Sequence, residues 1–197
     1  MASSPTLCRL EARSDRDTAR AISRIFVEQF ISSFDQAPTE LILDFDATDD
    51  RVHGMQEQRF FHGYYRDWCF LPLYVFCGEQ LLVSYLRPSN IDPAKHAWAI
   101  LKLLTTRLRQ QWPQVRIILR ADSGFCRRKM LRWCERHDVD YVVGLAKNKR
   151  LLALAGPLMQ RAEQAFEKHQ CKQRKFHWIE GIWLGIIVVL LKATTRQ

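Results

Sequence analysis

The chain has 197 residues, of which 47% are hydrophobic, so it can bury a core and is not a wholly disordered protein. Its length suits one α/β domain, or one domain with a fragment of another. Lys and Arg number 30 against 21 Asp and Glu, and the resulting net charge of +9 favours a polyanionic partner, most commonly nucleic acid.

Cysteine usage and apolar segments indicate the compartment. The six cysteines include no CxxC pair and no zinc-binding Cys/His spacing, so we interpret them as reduced, mostly buried thiols. The first residues, "MASSPTLCRL", lack the apolar core of a secretory signal. The segment "GIWLGIIVVLL" has eleven residues, fewer than the roughly twenty that span a bilayer. We therefore expect a cytoplasmic protein with no membrane partner.

Residues 1–38 are predicted to form an N-terminal helical segment. Apolar side chains recur at helical spacing over residues 15–34, which indicates an amphipathic helix. Arg16, Arg20 and Arg24 lie on this helix. They belong either to an accessory DNA-binding segment or to a solvated helix face.

The stretch "ELILDFD", residues 40–46, is predicted to be a short buried strand. Its side chains alternate between two faces, so Asp44 and Asp46 point to the same side at the C-terminal end of the strand. A carboxylate that leaves a buried strand needs an ion pair, hydrogen bonds or a metal. For Asp44, Asp49 and Asp50 we favour a hydrogen-bonded, solvated turn.

The middle of the chain alternates between predicted strands and helices. Residues 51–66 are predicted as a structured loop, followed by a hairpin of two strands that turns at Gly78-Glu79. Asp92-Pro93 is predicted to open a helix. The stretch "VRIILRAD" is a second buried strand, and it ends on Asp122.

A helix beginning in "SGFCRRKMLRWCERH", a strand "VDYVVGLAKN" and a helix interrupted at Gly156-Pro157 follow. Three antiparallel strands, followed by strands that alternate with helices, predict an α/β fold with a mixed sheet. If the strands that end in Asp46 and Asp122 are parallel neighbours, their carboxylates meet at one edge of the sheet. Ligands of open α/β sheets gather at that edge.

Asp46 and Asp122 are therefore candidate metal ligands. Two adjacent carboxylates stay ionised together only when a cation lies between them, and oxygen ligands suit Mg²⁺ or Mn²⁺. A pair of such ions about 3.5–4 Å apart activates a water or a 3′-hydroxyl and stabilises the leaving oxygen of a phosphodiester. The simpler alternative is that both aspartates are caps or turn formers at strand ends.

Four stretches, "LDFDATDD", "HGMQEQRFFHGYYRDWCFLPLYVFCG", "LRADSGF" and "YVVGLAKN", resemble the DDE transposases of bacterial insertion sequences. The resemblance is closest to the insertion-sequence 1380 family and runs from about residue 3 to residue 175. It implies a ribonuclease-H-like catalytic core, placed at residues 39–170, and metal-dependent DNA strand cleavage and strand transfer at the ends of the element. It also implies DNA as partner, commonly a homodimer, and a place at the bacterial nucleoid.

The same resemblance implies roles for individual residues. Asp46, in "DAT", and Asp122, in "ADSGF", correspond to the first two catalytic aspartates, which hold Mg²⁺ or Mn²⁺. The third ligand in these enzymes is a glutamate on a later helix, after an additional β-rich insertion. Glu163 and Glu167 lie on a helix after the last predicted core strand, but they do not resemble that glutamate motif.

The C-terminal segment, residues 171–197, ends in "HWIEGIWLGIIVVLLKATTRQ", which does not resemble the family. We interpret this segment as an out-of-frame tail and the chain as a truncated or frameshifted transposase, inactive alone because the glutamate is missing. The alternative is that the apolar run forms a real buried strand or helix.

Basic residues after Asp122 are candidates for DNA contact. They either bind phosphates or form a solvated helix face, with Met130, Trp133 and Cys134 inward. These residues are Arg127, Arg128, Lys129, Arg132 and Arg136. His62, in "RFFHGYY", either stacks on unpaired bases or packs within its loop.

Two other functions are compatible with the sequence. A non-catalytic regulator would bind the element ends without cutting them, and its DNA binding would survive loss of both aspartates. Another nuclease on the same sheet would need a third carboxylate within this chain, and the sequence offers none in a convincing place.

Overall fold

The computed structural model describes residues 3–13, 15–146 and 148–169, together with the backbone of two strands at 174–180 and 186–192. The helices are α1 (Ser4–Arg13), α2 (Arg16–Ser32), α3 (Ala97–Gln111), α4 (Arg128–Arg136) and α5 (Lys149–His169). The strands are β1 (Glu40–Ala47), β2 (Asp50–Arg51), β3 (Phe60–His62), β4 (Asp67–Phe70), β5 (Leu73–Cys77), β6 (Gln80–Tyr85), β7 (Arg116–Ala121), β8 (Val139–Val143), β9 (Arg174–Glu180) and β10 (Ile186–Lys192).

The central sheet has five strands in the order β6-β5-β1-β7-β8. Strand β5 is antiparallel to β1 and to β6, whereas β1, β7 and β8 are parallel. A hairpin therefore adds to one side of β1, and two strands that alternate with helices add to the other side. This arrangement confirms the predicted ribonuclease-H-like mixed α/β sheet.

The central sheet buries one face more completely than the other. On β1, Leu43 and Phe45 are buried, whereas Ile42 remains 37% exposed and Asp46 is exposed. On the neighbouring β7, Leu119 is buried on the same side as Leu43. The prediction that β1 is a fully buried strand is therefore wrong, because helices cover mainly one face and polar side chains occupy the other.

Helices α2, α3 and α4 contribute to a single core with the central sheet. Phe30 of α2, Leu101 of α3 and Met130 of α4 are all at most 2% exposed within one apolar cluster. At the end of α3, the ring of Trp112 lies edge-on to Phe30 and to Phe34, with centroids 6.3 and 5.2 Å away. The apolar side chains buried between the sheet and these helices are therefore the main source of stability.

A three-stranded sheet, in the order β2-β4-β3, lies in the segment between β1 and β5. The predicted loop at 51–66 thus contains β3, and the predicted first hairpin strand divides into β4 and β5. The division falls at Leu71-Pro72, where proline provides no N–H for a sheet hydrogen bond.

Arg87 ties the end of the β4 segment to the loop before α3. Its side chain is 1% exposed and donates hydrogen bonds to three backbone carbonyls. The acceptors are Leu71 O at 2.9 Å, Pro93 O at 2.9 Å and Lys95 O at 2.7 Å. Burial lowers the pKa of Arg87, and the three carbonyl oxygens compensate for only part of its desolvation, because the buried Nη2 has no hydrogen-bond partner among the described residues.

Three helix predictions differ from the structure. The helical segment predicted at residues 1–38 contains two helices, α1 and α2, of which only the second was located from its spacing. Helix α3 begins at Ala97 rather than at Asp92-Pro93, because His96 adopts φ 70°, a left-handed conformation that a helix cannot continue through. Helix α5 continues through Pro157, where the missing N–H removes one helical hydrogen bond without ending the helix.

The C-terminal segment forms two antiparallel strands, β9 and β10, with Ile186 opposite Glu180 and Lys192 opposite Arg174. Of the two interpretations of the apolar run, the structure therefore favours regular structure, as a strand rather than a helix. Residues 170–173, 181–185 and 193–197 lie outside the described residues. No helix among the described residues has the length and hydropathy to cross a bilayer.

We predict that Gly144→Ala destabilises the protein. A Cβ at this position would lie 2.9 Å from the backbone nitrogen of Ser123 and 3.2 Å from the carbonyl carbon of Asp122, so the backbone would have to shift. We expect a loss of about 1–3 kcal/mol in the free energy of unfolding, measured by urea denaturation.

Gly156→Ala is the matched control. It lies within α5, and a Cβ there meets nothing within 4 Å. Alanine should stabilise the helix by up to about 1 kcal/mol. Equal effects of the two substitutions would contradict the close approach at Gly144.

Candidate active site

The register of two parallel strands places Asp46 and Asp122 beside each other. Asp44 pairs with Arg120, and Phe45 pairs with Ala121. The next residues on the two strands are Asp46 and Asp122, and adjacent strands lie about 4.8 Å apart. Because side chains alternate, both carboxylates face the side opposite the core. The predicted convergence of the two aspartates at one sheet edge is therefore present.

The negative charges of Asp46 and Asp122 act on each other. Partial desolvation raises the pKa of Asp46, and the negative charges of Asp122 and Asp44 raise it further. The backbone N–H of Ala47 opposes the shift. Within the part of the chain that the structure describes, no Lys or Arg forms an ion pair with Asp46 or Asp122.

Asp44 has a different environment from Asp46. Its Oδ2 accepts a hydrogen bond from Nη2 of Arg120 at 2.5 Å, across the strand pair. Asp44 therefore lies in β1 as half of an ion pair, and Asp50 lies in β2, so the predicted solvated turn is wrong for both. Asp49 does lie between these strands, 3.6 Å from Nε of Arg51.

Asp122 is held by the turn that follows β7. It caps a short 3-10 helix, Ser123–Phe125, and its Oδ1 accepts a hydrogen bond from the N–H of Gly124 at 2.8 Å. The N–H of Gly144 donates to the carbonyl of Ala121 at 3.0 Å. The second oxygen of Asp122 is not needed for this cap, so a capping role and a metal-binding role are compatible.

Tyr65 is a neighbour of the site that sequence reasoning missed. Burial raises the pKa of its phenol most, and the charges of Asp49, Asp46 and Asp122 contribute to the increase. The phenol therefore lies within electrostatic range of all three carboxylates. The stretch "RFFHGYY" carries no spacing that distinguishes this tyrosine from its aromatic neighbours.

His62, a predicted nucleic-acid-binding residue, lies at the end of β3. Its ring packs against Tyr65 with a centroid distance of 4.8 Å. Its Nδ1 is buried and has no hydrogen-bond partner among the described residues. The packed arrangement therefore agrees with the simpler interpretation of this histidine.

The predicted DNA-contacting residues have different surroundings. Arg127 donates to Asp92 at 2.7 Å, and Nζ of Lys129 lies 4.2 Å from the ring centroid of Trp98. Arg128 and Arg132 line a surface cleft. On the inner side of α4 the buried residues are Met130, Leu131 and Cys134, whereas Trp133, predicted to point inward, is only partly buried.

The donor set fits a divalent cation only in part. Two neighbouring carboxylates without a cationic partner are suitable oxygen ligands for Mg²⁺ or Mn²⁺. No group of three His, Cys, Asp or Glu side chains within the described residues is arranged to hold a metal ion. Glu163 and Glu167 lie on α5 and join no such group. The site therefore supplies two ligands of an incomplete set.

We predict that Asp46→Asn raises the melting temperature at pH 7 in buffer without divalent ions. Because the folded-state pKa of Asp46 is raised, its ionisation lowers stability as pH increases through the two pKa values. The advantage of the variant should therefore shrink as the pH falls towards 4. Thermal unfolding, followed by circular dichroism at pH 7 and at pH 4, measures the difference in melting temperature between the variant and the unmodified protein.

Asp140→Asn is the control for this prediction. Asp140 accepts a hydrogen bond from Nε of Arg116 at 2.6 Å, so its loss should leave the melting temperature unchanged or slightly lower at pH 7. A decrease for Asp46→Asn would contradict the uncompensated charge at the site.

The chain is similar to known proteins over most of its length. The family model described as "Transposase DDE domain group 1" matches residues 1–195. The match includes residues 171–195, so it gives no support to the prediction that this segment lies outside the family. No curated protein matches the chain.

One solved structure to which the chain is similar is described as "Cryo-EM structure of piggyBac transposase synaptic complex with hairpin DNA (SNHP)". The sequence identity is 12% and the TM-score is 0.47, with 100% of this chain and 41% of that chain covered. The chain thus spans less than half the length of that protein. On the match over residues 1–195, the chain belongs to the family of group 1 transposase DDE domains.

Proposed function

We propose that the chain is the catalytic-core fragment of a DDE transposase of the insertion-sequence 1380 type, which cleaves a DNA strand at the element ends and transfers it to target DNA. The observation that carries the proposal is the juxtaposition of Asp46 and Asp122 at the ends of parallel strands, with no ion pair to either carboxylate among the described residues. Membership of the DDE domain family supports it.

In this proposal Asp46 and Asp122 hold Mg²⁺ or Mn²⁺ through their carboxylate oxygens. A divalent ion there would supply Lewis acidity to the scissile phosphodiester and lower the pKa of a bound water. Asp122 is oriented by the N–H of Gly124, and Asp44 is paired with Arg120. The protein thus keeps two carboxylates fixed at the sheet edge for the metal.

The fragment alone is proposed to be inactive in strand transfer. Two carboxylates leave the second metal of a two-metal mechanism without its own protein ligand. The missing ligand is the glutamate expected on a later helix, and a truncated or frameshifted gene accounts for its absence. We keep the proposed division into an N-terminal segment at 1–38, a core at 39–170 and a C-terminal segment at 171–197.

The proposed partner is DNA, both the element ends and the target, with a homodimer as the working assembly at the bacterial nucleoid. Arg127, Arg128, Lys129 and Arg132 are proposed to contact phosphates, and His62 to lie near the DNA at the site. The net charge of +9 and the position of α4 directly after Asp122 support these roles.

A regulator that binds element ends without cutting is the second candidate. The observation that favours it is the basic surface of α4 on a chain with an incomplete ligand set. It requires DNA binding that persists in Asp46→Asn and Asp122→Asn.

Metal binding gives the first test, independent of activity. Electron paramagnetic resonance of Mn²⁺ titrated into the protein should show binding that Asp46→Asn or Asp122→Asn weakens at least about tenfold. The Asp140→Asn control should bind Mn²⁺ like the unmodified chain. Equal binding by the protein with and without the two aspartates would refute the site.

Activity gives the second test, with labelled element-end DNA and Mg²⁺. The chain alone should yield no strand-transfer product, whereas a protein extended in frame through the glutamate motif should yield product. Asp46→Asn in the extended protein should reduce the rate by at least about a thousandfold. Robust strand transfer by the 197-residue chain would overturn the proposed inactivity.

The DNA downstream of the gene decides the origin of the C-terminal segment. A coding glutamate motif in another reading frame, followed by a terminal inverted repeat, is the expected finding. Its absence from every frame would contradict truncation by a frameshift.

A further inference from the structure

One face of α4 presents a regular basic and aromatic surface. Side chains spaced four residues apart in a helix lie on the same face, and α4 with its C-terminal cap repeats this spacing twice. The opposite face is buried through Met130, Leu131 and Cys134. The exposed residues of this face are Arg128, Lys129, Arg132, Arg136 and His137, and Trp133 lies among them half-buried against the core.

Together with Trp98 of α3, this face forms a cleft of about 400 Å³, which we call the α3–α4 cleft. A volume of this size admits one small organic group or one nucleotide. Its lining contains four basic side chains and three aromatic rings, and no carboxylate among the described residues. The neighbouring Glu135 instead accepts a hydrogen bond from the hydroxyl of Tyr141 at 3.0 Å.

The rings of the cleft are arranged in stacked contacts. The rings of Trp133 and His137 lie nearly parallel, at 18°, with centroids 4.4 Å apart. Nζ of Lys129 lies over the ring of Trp98. Ring faces interleaved with cations match the two parts of a nucleotide strand, because bases stack on rings and phosphates pair with Arg and Lys. An acidic peptide could pair with the cations but would not stack on the rings.

The cleft begins a short distance along the chain from the candidate active site, with α4 packed on the core side of the sheet and the two carboxylates facing the other side. Helix α4 follows Asp122 through a short 3-10 helix, and Lys129 is seven residues beyond Asp122. Seven residues span at most about 25 Å, which a few nucleotides of extended strand cover. The position therefore suits a strand that passes the sheet edge and continues along α4.

We propose that the α3–α4 cleft binds an unpaired segment of DNA strand, with a base against Trp133 and phosphates at Arg132 and Arg136. The inference rests on the proposed function, since it takes its ligand from the DNA processed at Asp46 and Asp122. It adds a preference for single-stranded over double-stranded DNA, and it assigns that preference to residues outside the catalytic pair.

The test is fluorescence anisotropy of a labelled 12-nucleotide single strand and its duplex, in EDTA, with the full chain. The double variant Arg132→Gln/Arg136→Gln should weaken single-strand binding about tenfold or more at low salt. It should also reduce the slope of log affinity against log salt by about 1.4, the value for two phosphate contacts to a single strand. Trp133→Leu should weaken single-strand binding by about tenfold and duplex binding by less.

Arg150→Gln/Arg161→Gln is the matched control, because it removes the same charge from exposed positions of α5. It should leave single-strand affinity within about twofold. An equal loss in this control, no preference for the single strand, or equally tight binding of polyglutamate would each overturn the proposal. Circular dichroism verifies folding, and if Trp133→Leu unfolds the protein, the exposed arginines decide the outcome.

Asp46→Asn separates this inference from the proposed function. The variant should retain single-strand binding in EDTA while losing Mn²⁺ binding. If the unmodified chain binds Mn²⁺ through Asp46 but shows no preference for single strands, the proposal for the cleft is wrong and the proposal for the metal site still holds. If the chain prefers single strands but does not bind Mn²⁺ through Asp46, the catalytic proposal is wrong and the cleft is part of a DNA-binding regulator.

Discussion

The parallel pairing of β1 with β7 is the constraint on which the rest of the site depends. Paired residues on parallel strands share a face, so one register fixes which side chains meet on both sides of the sheet. It places Leu43 beside Leu119 in the core and Asp44 beside Arg120 on the other face. One step further it brings Asp46 to Asp122. A slip of one residue in either strand would turn the aspartate of that strand towards the core and lose the site.

The fold also separates a negatively charged region from a positively charged one. The sheet edge concentrates negative charge, of which Arg120 neutralises one part at Asp44. The α3–α4 cleft concentrates positive charge less than about 25 Å away along the chain. A polyanion alone is repelled by the first region and attracted by the second. A divalent cation at the edge would make both regions favourable to the same phosphate backbone.

Sequence patterns predicted the elements whose determinants are local. Alternation in β1 and the apolar run of β7 gave the two strands and their terminal aspartates, and the order of the elements gave the mixed sheet. Contacts between distant segments were not accessible in this way. The partner of Asp44 depends on the register with β7, and the proximity of Tyr65 depends on how the β2-β4-β3 sheet folds back. The start of α3 depends on the left-handed backbone of His96, a conformation that histidine adopts too rarely for its position to be predicted from the sequence.

The buried guanidinium of Arg87 has a consequence for how the sequence can drift. Its acceptors are main-chain oxygens of residues 71, 93 and 95, and every amino acid supplies such an oxygen. Those three positions can therefore exchange side chains without breaking the clamp, whereas the arginine itself has no substitute. Lysine offers a single nitrogen in place of a planar fork and cannot reach all three oxygens at once. Selection for these hydrogen bonds therefore acts on the identity of residue 87 and not on the identities of the three acceptor residues.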